Sequence, residues 1–158
     1  MTSTVLIGFM GAGKSTVGRL LAGRLGHHFV DSDDVVEQRA GRAVREIFEQ
    51  DGEPAFRELE HQVIADLLAG PPLVLALGGG AVGDARTRAL LAGAQVVYLR
   101  TSYRQALARV GGDPGRPMLR RPDLELIYTE RATVYAQVAD VVLDTDLLSP
   151  EEVAQLLS

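Results

Sequence analysis

The chain has 158 residues, 46% of them hydrophobic and 23% charged, a size and balance that suit one globular domain with a single core. It contains no cysteine, which excludes disulfides, thiolate metal sites and cysteine nucleophiles together. A formal net charge of −5 argues against a broad nucleic-acid or membrane surface, so any anionic ligand must be met by local positive charge.

In chain order, the apolar run Val5-Leu6-Ile7-Gly8-Phe9 predicts a fully buried parallel strand rather than an alternating, half-wet one. A helix follows, with Val17, Leu20, Leu21 and Leu25 at helical spacing. Phe29-Val30 is a second short strand, ending at Asp31-Ser32-Asp33-Asp34. The pattern over 35–68 is helical, broken near Gly41 and around Asp51-Gly52-Glu53-Pro54, and Phe56, Leu59, Val63 and Leu67 stripe its last helix. Residues 73–77 predict a third strand, followed by Gly78-Gly79-Gly80 and a helix over 84–91. A fourth strand over 95–99 leads to a helix over 102–110, and the turn-rich 111–117 predicts a mobile loop. A helix over 123–138, a strand over 141–143 and a final helix opened by Ser149-Pro150 complete the chain. Strands alternate with helices throughout, which makes the class α/β with a mostly parallel sheet.

Gly8-Phe9-Met10-Gly11-Ala12-Gly13-Lys14-Ser15 matches G-x-x-x-x-G-K-[ST], and it sits between a buried strand and an amphipathic helix as that phosphate-binding loop requires. Its glycines let backbone amides point at phosphate oxygens, and the following helix adds its positive dipole end. Lys14 is positioned to reach the β- and γ-phosphates, and Ser15 to ligate Mg²⁺. Lys14 is also the only lysine among sixteen basic residues. An arginine-biased composition explains the other fifteen but not why the exception falls here, so position 14 requires the compact ammonium.

Asp31 and Asp33 lie two apart at a strand end, where an extended backbone would aim both carboxylates to one side. One could hold Mg²⁺ and the other accept a nucleophile's proton. Capping of the next helix fits the same residues, and the nearby phosphate loop favours the cleft reading. The three glycines at 78–80 allow close backbone approach to a ligand, or form a plain turn. Arg57 with Glu53, Arg131 beside Glu130, and Arg116 in the turn-rich segment fit either anion binding or solvated faces.

These pieces occur together and in order in shikimate kinase, and the chain resembles that family from Gly8 to about Thr145. The landmarks are the phosphate loop through Thr16, Asp31-Ser32-Asp33, Phe56-Arg57-x-x-Glu60, Leu77-Gly78-Gly79-Gly80, Arg116-Pro117-Met118-Leu119 and Arg131-x-x-x-Tyr135. The resemblance implies a three-layer P-loop kinase fold, with a five-stranded parallel sheet in the order 2-3-1-4-5 and helices on both faces. It implies a substrate-binding segment near 32–60 and a lid near 111–122.

The same resemblance assigns roles. Gly11, Ala12, Gly13, Lys14, Ser15 and Thr16 would bind the nucleotide phosphates, Arg109 would lie against adenine, and Arg116 would swing in with the lid. Arg57 and Arg131 would clamp the substrate carboxylate, while Asp33 and the backbone at Gly79 and Gly80 would hold ring hydroxyls. Asp31 would support Mg²⁺ beside Ser15, and Lys14, Asp33 and Arg116 would carry catalysis. The implied reaction is ATP-dependent phosphorylation of shikimate to shikimate 3-phosphate, a step toward aromatic amino acids.

The chain departs from the family twice. The segment between Arg116 and Arg131 is about one helical turn shorter than usual. The loop Thr145-Asp146-Leu147-Leu148-Ser149 lacks the basic or polar residue that many members set against adenine.

A gluconate or nucleotide kinase is the nearest alternative, and a non-catalytic nucleotide-binding module is a second. The sole lysine lies in the phosphate loop, leaving none for the Asn-Lys-x-Asp guanine-reading motif of a GTPase switch. The N-terminus has no basic run before its apolar stretch, and residues 73–82 are too short to span a bilayer. The expectation is a cytoplasmic monomer that takes shikimate and ATP, with neither nucleic acid nor membrane as a partner.

Overall fold

The computed structural model describes residues 2–110 and 122–158, with the side chain of Val110 not described. Five parallel strands, β1 (Thr4–Ile7), β2 (Phe29–Asp31), β3 (Val74–Ala76), β4 (Gln95–Arg100) and β5 (Val141–Asp144), form one sheet in the order β2-β3-β1-β4-β5. This is the order the family resemblance implied. The helices are α1 (Lys14–Leu25), α2 (Ser32–Ala40), α3 (Val44–Asp51), α4 (Glu53–Ala69), α5 (Ala85–Leu90), α6 (Tyr103–Val110), α7 (Leu124–Val138) and α8 (Pro150–Leu157). No helix among the described residues is long and apolar enough to cross a membrane.

Why the strands read as continuous apolar runs is visible in how alternate residues divide. Val5, Ile7, Leu75, Leu77, Val96 and Tyr98 pack on one face against apolar residues of α4, α6 and α7, including Ile64, Ala106 and Tyr135. Leu6, Val74, Val97 and Leu99 pack on the other against Val17, Leu21 and Ala22 of α1 and Val153 and Ala154 of α8. Both faces are therefore dry, as a parallel sheet flanked by crossover helices demands. A third cluster, Val36, Ile47, Phe56 and Val63, joins α2, α3 and α4 into the helical segment expected near 32–60.

The element ends follow local chemistry. Glycines in the left-handed region, Gly26 at φ 70° and Gly41 at φ 67°, end α1 and α2. Ser149 caps α8 reciprocally with Glu152, and Pro150 occupies its first turn.

One expectation fails in detail. Asp33 does not continue the strand, because the chain turns helical at Ser32 and Asp33 lies in the first turn of α2. Asp31 caps that helix through an Oδ1 that accepts the Asp33 amide at 2.9 Å. The capping reading is thus correct as local structure. Both carboxylates still reach the cleft, but through the turn rather than through an extended strand.

Candidate active site

A cleft of about 540 Å³ opens at the carboxyl ends of β1, β2 and β3, where open α/β sheets place their ligands. Its lining includes Gly11, Gly13, Lys14, Ser15 and Thr16 at one end and Arg57, Gly79, Gly80 and Arg131 at the other, with Asp31, Asp33 and Glu60 also on its wall.

The phosphate-loop end depends on glycine. A Cβ on Gly8 would meet the Leu99 carbonyl at 2.6 Å, and one on Gly11, at φ +79°, would meet the Ala106 carbonyl at 2.5 Å. The loop is therefore pressed against β4 and α6 with no room for side chains at those positions. Gly13 precedes α1 without any side-chain cap, and the first helical bond runs from the Val17 amide to the Gly13 carbonyl. The amides of Lys14, Ser15 and Thr16 precede that ladder, which makes this end a ready anion site. Lys14 Nζ donates to the carbonyls of Gly8 at 2.7 Å and Phe9 at 3.1 Å, which holds the ammonium over the loop. Arg109 donates to the Gly11 carbonyl at 2.9 Å and to the Thr145 carbonyl at 3.0 Å. It thereby ties the loop to the segment after β5.

Ser15 Oγ and Asp31 Oδ2 face each other at 3.5 Å. Hard oxygens so placed suit Mg²⁺, which takes few protein ligands and completes its shell with water and phosphate. No group of three or more His, Asp or Glu side chains forms a dedicated metal cage among the described residues.

Asp33 Oδ1 is buried without a hydrogen-bond partner among the described residues. Burial and the neighbouring Asp31 push its carboxyl up to about 6, while Lys14 and Arg57 pull it back. Asp33 nonetheless lines the cleft, where a carboxylate suits a substrate hydroxyl.

The far end is an arginine pair. Arg57 Nη1 pairs with Glu60 at 2.8 Å and its Nη2 with Glu53 at 3.2 Å, so the exposed Glu53–Arg57 pair is real but only half of the arrangement. Burial opposes the Arg57 charge, yet Glu60 and Glu53 outweigh it and raise the pKa. Arg131 has no ion pair among the described residues, and burial lowers its pKa, with Arg57 adding like-charge repulsion. A desolvated cation beside a second cation suits an anionic ligand such as a carboxylate. A Cβ on Gly80 would collide with both guanidinium groups, so the glycine there is what lets them converge.

Glu60 escaped the sequence reading as a site residue. It is 1% exposed, and burial pushes it up to about 7 against the pull of Arg57. Its signal was available, since position 60 follows Phe56 by four and precedes Val63 by three, placing a carboxylate on the apolar face of α4. Ser32, fully buried, was missed as well, and its Oγ accepts the Gly78 amide at 3.2 Å. Arg116 and residues 111–121 of the expected lid lie outside the described residues.

Because the folded state holds the Glu60 proton to higher pH than the unfolded chain does, stability falls as pH rises from about 4.5 to about 7. Denaturant titrations of wild type and Glu60→Gln across that window should diverge on the order of 1 kcal/mol per pH unit, wild type weakening relative to the variant. A constant difference would show that Glu60 is ionised throughout.

The comparisons with known proteins agree with this geometry. The family model for shikimate kinase matches residues 10–158. A shikimate kinase of Thermobifida fusca is 48% identical over 157 residues, covering 98% of this chain and 91% of that protein. A shikimate kinase of Acinetobacter baumannii, solved in complex with shikimate, superposes with a TM-score of 0.93 at 38% identity, covering 99% of this chain and 90% of that one. A gluconokinase of Sinorhizobium meliloti reaches only 0.57 at 18% identity, covering 98% and 87%, a likeness of fold alone. The chain belongs to the shikimate kinase family.

Proposed function

We propose that the chain transfers the γ-phosphoryl group of ATP to a ring hydroxyl of shikimate, giving ADP and shikimate 3-phosphate. The observation that carries this reading is one cleft with a phosphate cradle at one end and a convergent arginine pair at the other. Asp33 lines the same cleft and feels the charges of both Lys14 and Arg57, which supports a role between the two ends.

The chemistry then follows the geometry. Arg57 and Arg131 bind the carboxylate, each charge-assisted contact contributing about 1.5–3 kcal/mol, enough to select a small acid against the negative global charge. Gly79 and Gly80 amides and Asp33 hold ring hydroxyls. Lys14 and the amides of residues 11–16 hold the phosphates and stabilise the charge spread over the transferring group. The bond from the γ-phosphorus to the leaving ADP oxygen breaks as the bond to the hydroxyl oxygen forms, and Asp33 orients that hydroxyl and takes its proton. Mg²⁺ at Ser15 and Asp31, when bound, neutralises phosphate charge. Arg109 flanks adenine, and Arg116, outside the described residues, would add positive charge at the phosphates. The protein acts as a single kinase domain, a cytoplasmic monomer without nucleic-acid or membrane partners.

A panel of acceptors assayed for ADP release tests the substrate. Shikimate should be preferred over gluconate and over nucleoside monophosphates by at least about a hundredfold in kcat/KM, because gluconate shares the carboxylate but lacks the rigid ring that sets a hydroxyl against Asp33 while the carboxylate meets the arginines. Preference for a nucleotide or gluconate would overturn the assignment, and ATP binding without turnover of any acceptor would support a binding module instead.

A further inference from the structure

Tyr135 is one of two buried residues of α7. It is 1% exposed, its ring packs 5.2 Å from that of Tyr98, and its hydroxyl donates to the carbonyl of Gly79. It lies one helical turn beyond Arg131 on α7, so the two side chains share a face of that helix. A Cβ on Gly79 would sit 3.1 Å from Arg131 Nη1 and 3.5 Å from the Tyr135 hydroxyl, so both side chains close on this one residue.

The hydrogen bonds of the glycine turn divide unevenly. The Gly78 amide donates to Ser32 Oγ, the Ala81 amide to the Gly78 carbonyl at 3.1 Å, and the Gly83 amide to the Gly80 carbonyl at 3.1 Å. With Tyr135 on Gly79, the carbonyls of residues 78, 79 and 80 are all engaged. The amides of Gly79 and Gly80 donate to no partner among the described residues, and both glycines line the cleft. In a planar trans peptide the carbonyl of one residue and the amide of the next point in opposite directions. Anchoring the Gly79 carbonyl on the α7 side therefore turns the Gly80 amide away from Tyr135. Burial raises the phenol pKa well above its ordinary value, which keeps the hydroxyl a donor.

We infer that Tyr135 is a positioning residue for the acceptor, its hydroxyl locking the Gly79–Gly80 peptide so that the unbonded Gly80 amide faces the ring hydroxyls of the substrate. Tyr135 acts through the backbone and touches no reacting atom. Without the lock, glycines at both positions leave the peptide free to rotate, and the Gly80 amide loses its fixed aim. The inference rests on the cleft being the shikimate site.

Tyr135→Phe keeps the ring and removes only the hydroxyl. It should raise the shikimate KM about tenfold, the scale of one misdirected hydrogen bond, with the ATP KM unchanged. Inhibition by cyclohex-1-ene-1-carboxylate, which has the carboxylate and no hydroxyls, should be the same in variant and wild type. Tyr128→Phe is the control, because its hydroxyl donates to the Thr101 carbonyl at 2.5 Å, away from the turn, and its loss should leave the shikimate KM unchanged. An unchanged shikimate KM in Tyr135→Phe would overturn the inference. So would a parallel weakening of the hydroxyl-free inhibitor, or the same KM rise in Tyr128→Phe. Absence of shikimate turnover by the wild type, run alongside, would instead defeat the assignment of the cleft.

Discussion

Lys14→Arg should lower kcat by about 10²–10³-fold although it conserves charge, the loss typical of removing one donor aimed at transition-state charge. The ammonium sits over a loop whose Gly8 and Phe9 carbonyls it contacts at 2.7 and 3.1 Å. That loop cannot widen, because Gly11 already stands against the Ala106 carbonyl and Gly8 against that of Leu99. A planar guanidinium with its donors in a rigid fork does not fit where a compact, three-donor ammonium does. Fifteen arginines elsewhere make the substitution neutral in composition, so the effect isolates shape from charge. Steady-state kinetics at saturating shikimate checks it, with the thermal midpoint as a control for folding. Turnover near wild type would mean that position 14 needs only a positive charge.

Asp33→Asn should lower kcat by about 10²–10⁴-fold, the range for losing a positioned general base, while ATP affinity changes little. The substitution is nearly isosteric, and the helix cap survives, since it uses the Asp33 backbone amide and the Asp31 side chain. Asp33 lines the cleft, so an amide nitrogen in place of a carboxylate oxygen would present a donor to a hydroxyl that needs an acceptor. A loose phosphoryl-transfer transition state needs little early proton removal, which puts much of the effect in orientation. Isothermal titration with a non-hydrolysable ATP analogue, paired with turnover, separates the two. Wild-type turnover in this variant would remove Asp33 from the mechanism.

Much of this molecule was legible in its sequence, for reasons that differ by element. The sheet could be read because strands dry on both faces must be apolar at every position, as Val5, Leu6 and Ile7 are. The phosphate loop could be read because its glycines are forced by backbone contacts with β4 and α6. Asp33 was placed in the right cleft by a wrong route, since periodicity does not reveal that the chain turns helical one residue after Asp31. The arginines were ambiguous for a physical reason: an i,i+4 partner such as Glu53 looks the same in sequence whether the pair is solvated or half-buried. Only the fold reveals that Arg57 and Arg131, 74 positions apart in the chain, close on Gly80 together. The Tyr135 hydroxyl bond to Gly79 was likewise beyond reach, because it joins α7 to the turn after β3.

Phosphorus NMR of a reaction containing the protein, ATP, Mg²⁺ and shikimate asks whether a nucleotide phosphate is joined to a ring oxygen of the carboxylated substrate. The γ-phosphate signal should be replaced by a single phosphomonoester coupled to the proton on ring carbon 3, with ADP formed in equal amount. Accumulation of inorganic phosphate alone, or ATP left intact beside unmodified shikimate, would contradict the proposed transfer.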